Sequence, residues 1–181
     1  MKTESTVMYV LRLALILLAI TAVVAALLAG VNSVTAPIID KLNAEKTQKA
    51  IEAVLPGGGE SVDFPATDLV SVVYKGEAGY AVQVAPAGFD GPITMMVGVD
   101  FDGNVLGISI IKHTETAGLG AVAAATTSAG ETFRGNFVGK SGSVSVTKDG
   151  GEIDSITGAT ITSRAVCAGV NAALGCVAGM G

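Results

Sequence analysis

The sequence has no tryptophan, one histidine and two cysteines among 181 residues. Each scarcity removes a class of chemistry. His113 alone cannot build a histidine-rich metal centre, and "HTETAG" around it lacks the HExxH spacing of a zinc hydrolase. Cys167 and Cys176 form no CxxC or zinc pattern. Nine residues apart on one predicted helix, they point in nearly opposite directions, so no disulfide is expected between them. Buried, unreactive thiols are expected instead. A Ser-His-Asp triad has no GxSxG elbow to sit on. There is no Walker A motif, and "GLGAVAAA" is neither GxGxxG nor set in a strand–loop–helix context. No catalytic or metal-ligating side chains are therefore assigned. A bound cofactor stays open as the carrier of chemistry.

Charge is also scarce. Charged residues make up 15% of the chain and hydrophobic residues 50%. That balance is too apolar for disorder and unusual for a purely soluble domain. The net charge is −5, and from Ala36 onward nine basic residues face fifteen acidic ones. Such a surface is repelled by nucleic acid and by anionic lipid, so a nucleic-acid partner is excluded.

What the sequence does have is one long apolar run, "LALILLAITAVVAALLAG" from Leu13 to Gly30, with "VMYVL" just before it. As a helix, Val7 to Gly30 reaches across the ~30 Å hydrocarbon core of a bilayer. Arg12 can snorkel to the headgroups, and Tyr9 suits the interface. A cleaved signal peptide has a shorter apolar region, about 7–15 residues, and a small-x-small site after it. Residues 1–34 are therefore read as a retained transmembrane anchor. Lys2 and Arg12 precede the span, and the next basic residue is Lys41. The positive-inside rule then puts the N-terminus in the cytoplasm and the rest of the chain on the outer side of the membrane.

Residues 35–59 read as a short connecting helix. Pro37 stands where a helix can begin, and Pro56-Gly57-Gly58-Gly59 ends it. Residues 60–181 read as the outer domain. "DLVSVVYK", "GYAVQVAP", "PITMMVGVD" and "NVLGISIIKH" carry strand signals. Asp102-Gly103 and "GFDGPI" mark turns. A small-residue loop and a helical stretch bearing Phe133 and Phe137 follow. "SVSVTKDGGEIDSI" reads as a further hairpin, and a helix starts at about Ile161 with Val166, Val170, Leu174 and Val177 on one face. The class is α+β: one transmembrane helix, then a mostly antiparallel sheet with flanking helices.

Two segments carry the functional reading. In "DSITGATITS", Gly158 permits a sharp turn, and Thr160 falls at or beside the N-cap of the last helix. A threonine there has two uses. As a cap it contributes ~1 kcal/mol. Alternatively, the unpaired first-turn amides and the helix dipole seat a phosphate, with the Thr160 hydroxyl as a nucleophile toward phosphorus. The second segment, "HTETAGLG", is a glycine-containing loop after a strand.

"DSITGAT" resembles the flavinylation motif Asp-x-x-(Ser/Thr)-Gly-Ala-Thr of FMN-binding domains. In that family a flavin transferase uses FAD to attach FMN, through its phosphate, to the last threonine. The resemblance implies Thr160 as acceptor, with Asp154, Thr157, Gly158 and Ala159 as recognition residues. "HTETAGLG" resembles a pocket segment of the G subunits of Rnf complexes and of the related NqrC proteins, with Ala117 where many members have proline. The compact length favours the family of Rnf G subunits.

The implied roles are these. Amides near Ile161 and Thr162 bind phosphate oxygens. Gly118 and Gly120 admit the backbone to the flavin. Glu115 and Thr116 hydrogen-bond the flavin or its ribityl chain, and Leu119 covers the ring. His113 is either a polar contact or a strand-end residue. The implied function is electron relay through covalent FMN, with no activity as an isolated subunit. The setting is a complex that couples electron flow between ferredoxin and NAD to Na⁺ or H⁺ translocation. Its partners are other membrane subunits that carry flavins and iron–sulfur clusters. Two alternatives remain: an NqrC-like subunit or FMN domain of another extracytoplasmic reductase, and a membrane-anchored binding or structural domain without flavin. External protease on intact cells is expected to digest the domain; its protection would reverse the orientation.

Overall fold

A computed structural model describes residues 3–64 and 68–180. Its first element, α1 (Thr3–Val54), is a single helix with Pro37 inside it. The separate helix start expected at Pro37 is absent. Proline removes one amide donor from the ladder, but the alanine-, leucine- and lysine-bearing segments on both sides hold the helix through it. Polar side chains bond within the helix: Thr21 Oγ1 donates to the Leu17 carbonyl at 3.0 Å, Ser33 Oγ to Gly30 at 2.8 Å, and Thr35 Oγ1 to Val31 at 2.8 Å. An 18-residue window of Met8–Val54 has a mean hydropathy of 2.8, and none of it is buried by other parts of the chain. Length and composition mark this segment as a membrane anchor. Of the two basic residues behind the orientation, Lys2 lies outside the described residues, and Arg12 is exposed.

The chain divides into two units, and the second begins at Lys46. The last turns of α1 therefore belong to the globular part. That part contains one antiparallel meander in the spatial order β1 (Glu60–Val62), β2 (Val70–Lys75), β3 (Gly79–Val84), β4 (Thr94–Asp100) and β5 (Val105–Lys112). The four strands read from the sequence are all present; β1 is additional. The β4–β5 turn falls at Asp102-Gly103 as expected. Asp100 Oδ1 accepts the Asp102 amide at 2.9 Å and the Asn104 amide at 2.7 Å, and Gly103 takes the left-handed φ of +83°.

Alternation along the strands sends side chains to two cores. Val82, Val84, Met95, Val97 and Val99 face one side, where they pack with α2 (Ser128–Gly135) and α3 (Thr160–Ala178). Ala81 and Met96 face the other side and meet Ala50, Ile51, Val54 and Leu55. Both faces of the central strands are thus covered. Gly98 allows the closest approach, since a Cβ there would run into the Val54 carbonyl.

The stretch 143–156 is not the expected strand hairpin. It holds a 3₁₀ turn, Thr147–Asp149, and a single parallel bridge between Val146 and Ile153. The reason is a partner distant in the chain. The Asn171 side chain, on α3, bonds both the amide and the carbonyl of Val144, at 2.8 and 2.9 Å, where a strand would have paired. Val144, Val146 and Ile153 still enter the core, which explains their strand-like spacing. On α3, Cys167 is buried and Cys176 half-buried, both as free thiols. Burial pushes the Cys167 thiol up to about 11, in keeping with an unreactive group.

Gly98→Val is expected to cost about 1–3 kcal/mol by overpacking β4 against α1. Gly107→Ala has its nearest neighbours at 3.8 Å and should stay within ~0.5 kcal/mol. Urea unfolding of the two variants checks the contrast.

Candidate functional site

Four chain segments meet around a cleft of about 320 Å³. Phe89 comes from the β3–β4 connection. Glu115, Thr116, Leu119 and Gly120 come from the loop after β5. Gly158, Ala159, Thr160, Ile161 and Thr162 come from the start of α3. Lys148 of the 3₁₀ turn completes the lining. Nine of the twelve residues singled out in the sequence therefore converge here. Gly118, Asp154 and Thr157 do not; they line a different depression, with Ile156 and Phe133. Asp154 and Thr157 are exposed on it.

Thr160 is the first helical residue of α3, one position beyond the N-cap. The N-cap is Ala159, and no side chain caps this helix. The cap reading of Thr160 is thus not the geometry observed. Its hydroxyl instead accepts a hydrogen bond from Lys148 Nζ at 3.0 Å. The amide of Ser163 bonds the Ala159 carbonyl at 3.0 Å. The amides of Thr160, Ile161 and Thr162 precede it, and the helix offers them no carbonyl. Together they form the positive end of a 19-residue helix.

The other hydroxyls of the cluster are committed to the fold. Ser163 is fully buried; its Oγ donates to the Ala159 carbonyl and accepts the Ile156 amide, both at 3.0 Å. Thr162 Oγ1 donates to Glu115 Oε2 at 2.5 Å. Gly158 turns the chain into the helix with a φ of +77°.

Glu115 is buried, and both of its oxygens are occupied by the protein. Oε1 accepts the amides of Phe89 at 2.8 Å and Asp90 at 3.2 Å; Oε2 accepts Thr162. Burial raises its pKa, but these hydrogen bonds and nearby His113 outweigh burial and hold the carboxyl below its ordinary range. Gly120 is required beside it, because a Cβ there would strike Glu115 Oε2 and Thr162 Oγ1. Gly118 is needed for a different reason, its left-handed φ of +77°. His113 is absent from the cleft lining, and its buried Nδ1 has no hydrogen-bond partner among the described residues.

The sequence reading missed Phe89 and Lys148. Both lie in segments read only as turns, "GFDGPI" and "KDGG". An exposed aromatic inside a tight turn was the available signal for Phe89. With Leu119 and Ile161, it gives the cleft an exposed apolar rim: the three are 67%, 44% and 50% accessible. Amides and an ammonium at one end and apolar side chains around it suit a phosphate that carries a flat apolar group.

A family model described as "FMN-binding domain" matches residues 88–175, a span that contains every lining residue. Similar proteins include the G subunit of the Na(+)-translocating ferredoxin:NAD(+) oxidoreductase complex of Acetobacterium woodii. It is 36% identical, over 90% of this chain and 88% of that protein. The G subunit of the ion-translocating oxidoreductase complex of Methanosarcina acetivorans is 34% identical, over 86% and 87%. That of Erwinia tasmaniensis is 34% identical, over 80% and 79%.

Glu115→Gln should cost about 2 kcal/mol at neutral pH, because an amide nitrogen would replace one charged acceptor. The sign with pH follows from the lowered pKa. The contribution of Glu115 is complete above its ordinary value of 4.5 and is lost as pH falls through the lower folded value. The variant should therefore show a shallower loss of stability below about pH 4.5 in acid unfolding.

Proposed function

The chain belongs to the family of G subunits of ion-translocating oxidoreductase complexes, and from that premise we propose that it carries FMN as a phosphoester of Thr160. Its role is that of a membrane-anchored flavoprotein subunit of an Rnf-type ferredoxin:NAD oxidoreductase. The observation that carries the threonine assignment is the uncommitted hydroxyl. Thr162 and Ser163 are tied to Glu115 and Ala159. Thr160 instead lines the cleft at the positive end of α3 and bonds only Lys148 among the described residues.

The residues present fit FMN. The amides of Thr160, Ile161 and Thr162, with Lys148, would receive the phosphate. Phe89, Leu119 and Ile161 are apolar surfaces within reach of the same cleft. When bound, FMN supplies transfer of one or two electrons. Glu115 acts indirectly: it fixes the Phe89 turn and the first turn of α3 on either side of the cleft.

A covalent link suits a domain on the outer side of the membrane, where free FMN is scarce and a dissociable flavin would be lost. In this arrangement the N-terminus is cytoplasmic and α1 anchors the domain beside the other Rnf membrane subunits. A flavin transferase matures the protein. The ion path belongs to those other subunits, because the apolar run from Leu13 to Gly30 contains no acidic residue.

Co-expression with a flavin transferase should give a band that remains fluorescent after denaturing electrophoresis. Thr160→Val should abolish the fluorescence while the domain still folds. A band that stays fluorescent in that variant would move the acceptor, with Thr157 the next residue to test.

A further inference from the structure

We propose that Lys148 takes part directly in flavin attachment, by fixing the Thr160 hydroxyl and offsetting the negative charge that develops around it. This rests on the assignment of Thr160 as the acceptor. Lys148 Nζ donates to Thr160 Oγ1 at 3.0 Å across twelve residues of sequence. Its acceptor is a neutral hydroxyl. Its charge also acts on neighbouring Asp149, but its hydrogen bond goes to the hydroxyl.

Asp149 is engaged elsewhere. It accepts two hydrogen bonds from Arg164, from Nε at 2.7 Å and from Nη2 at 2.6 Å. Arg164 lies one turn along α3 from Thr160, so this ion pair ties the lysine-bearing turn to the helix that carries the acceptor. The turn is held from its other side as well. The Thr147 amide bonds the Ile153 carbonyl at 2.9 Å, and the Gly151 amide bonds Val146 at 3.0 Å. Gly150 takes a φ of +84° that closes the turn. Lys148 is thus carried on a fixed support, although its side chain is exposed.

Among the described lining residues of the cleft, Lys148 is the cation. The acid of the lining, Glu115, has both oxygens occupied by Phe89, Asp90 and Thr162. An incoming phosphoryl group therefore meets an ammonium and three first-turn amides with no uncommitted carboxylate in the lining.

The step balances as a phosphoryl transfer. Thr160 Oγ forms a bond to the phosphorus on the FMN side of the FAD pyrophosphate. The bridging P–O bond breaks, and AMP leaves with its electron pair. The Thr160 proton passes to a base supplied by the transferase, and nothing is oxidised or reduced. Lys148 holds the Thr160 oxygen and stabilises it as its proton leaves, and afterwards faces the anionic phosphodiester.

The test uses the full chain in detergent with a flavin transferase and FAD. Initial rates of covalent labelling are read by in-gel fluorescence over a range of chain concentrations. Lys148→Met should lower kcat by about tenfold or more and leave KM nearly unchanged. Lys148→Arg should restore most of the rate, because it keeps a charged donor. Wild-type kcat in Lys148→Met would overturn the proposal, as would a change confined to KM, which would make Lys148 a docking contact. Thr160→Val runs alongside. Its continued labelling would sink the acceptor assignment and this inference together. Its silence beside a fully active Lys148→Met would sink this inference alone.

Discussion

One buried carboxylate holds the site together. Glu115 receives two amides from the β3–β4 connection and a hydroxyl from the first turn of α3. Its own backbone belongs to the loop after β5. Three segments far apart in sequence are thereby fixed around one cleft. A charge taken out of water is costly unless its acceptor capacity is filled, so this contact specifies its surroundings. Two glycines follow from it. A Cβ at Gly88 would strike one oxygen of the carboxylate, and a Cβ at Gly120 the other. The loop composition that looks permissive in the sequence is, at these positions, a packing requirement.

The same contact separates the hydroxyls. The stretch around the start of α3 includes Thr157, Thr160, Thr162 and Ser163. Two of these four are consumed by the fold, and one faces away on another depression. Thr160 is left with a lysine and a set of unpaired amides. In a chain of net charge −5, this is a local concentration of positive potential. It comes from backbone dipoles and one ammonium, and it suits a phosphate without requiring a basic surface.

The anchor and the domain share one helix. The last turns of α1 bury Ala50, Ile51, Val54 and Leu55 against the sheet. The membrane segment is therefore continued by an element of the core. Gly98 sets how closely the sheet meets that helix end.

Much of this was legible in sequence because it depends on local pattern. The apolar run gave the anchor, β-branched alternation gave β2 to β5, and Asp102-Gly103 gave its turn. "DSITGAT" and "HTETAGLG" gave nine lining residues. Other features depended on partners distant in the chain. Pro37 suggested the start of a separate helix, but the helix-forming residues on both sides of it run through. Val144, Val146 and Ile153 have strand spacing, yet Asn171 takes the backbone bonds a strand would have made. Glu115 has the chemistry of a ligand contact, and only folding shows its oxygens occupied by the protein. Phe89 offered only the signal of an aromatic in a tight turn and Lys148 offered none, because nothing near them in sequence says what they face. The sequence alone determined the fold class and which segments to compare with the cleft, since periodicity and motif are properties of neighbours. The tertiary structure alone decided which threonine meets the lysine of the cleft and which the buried carboxylate, because that depends on hydrogen bonds across 12 and 47 residues of chain.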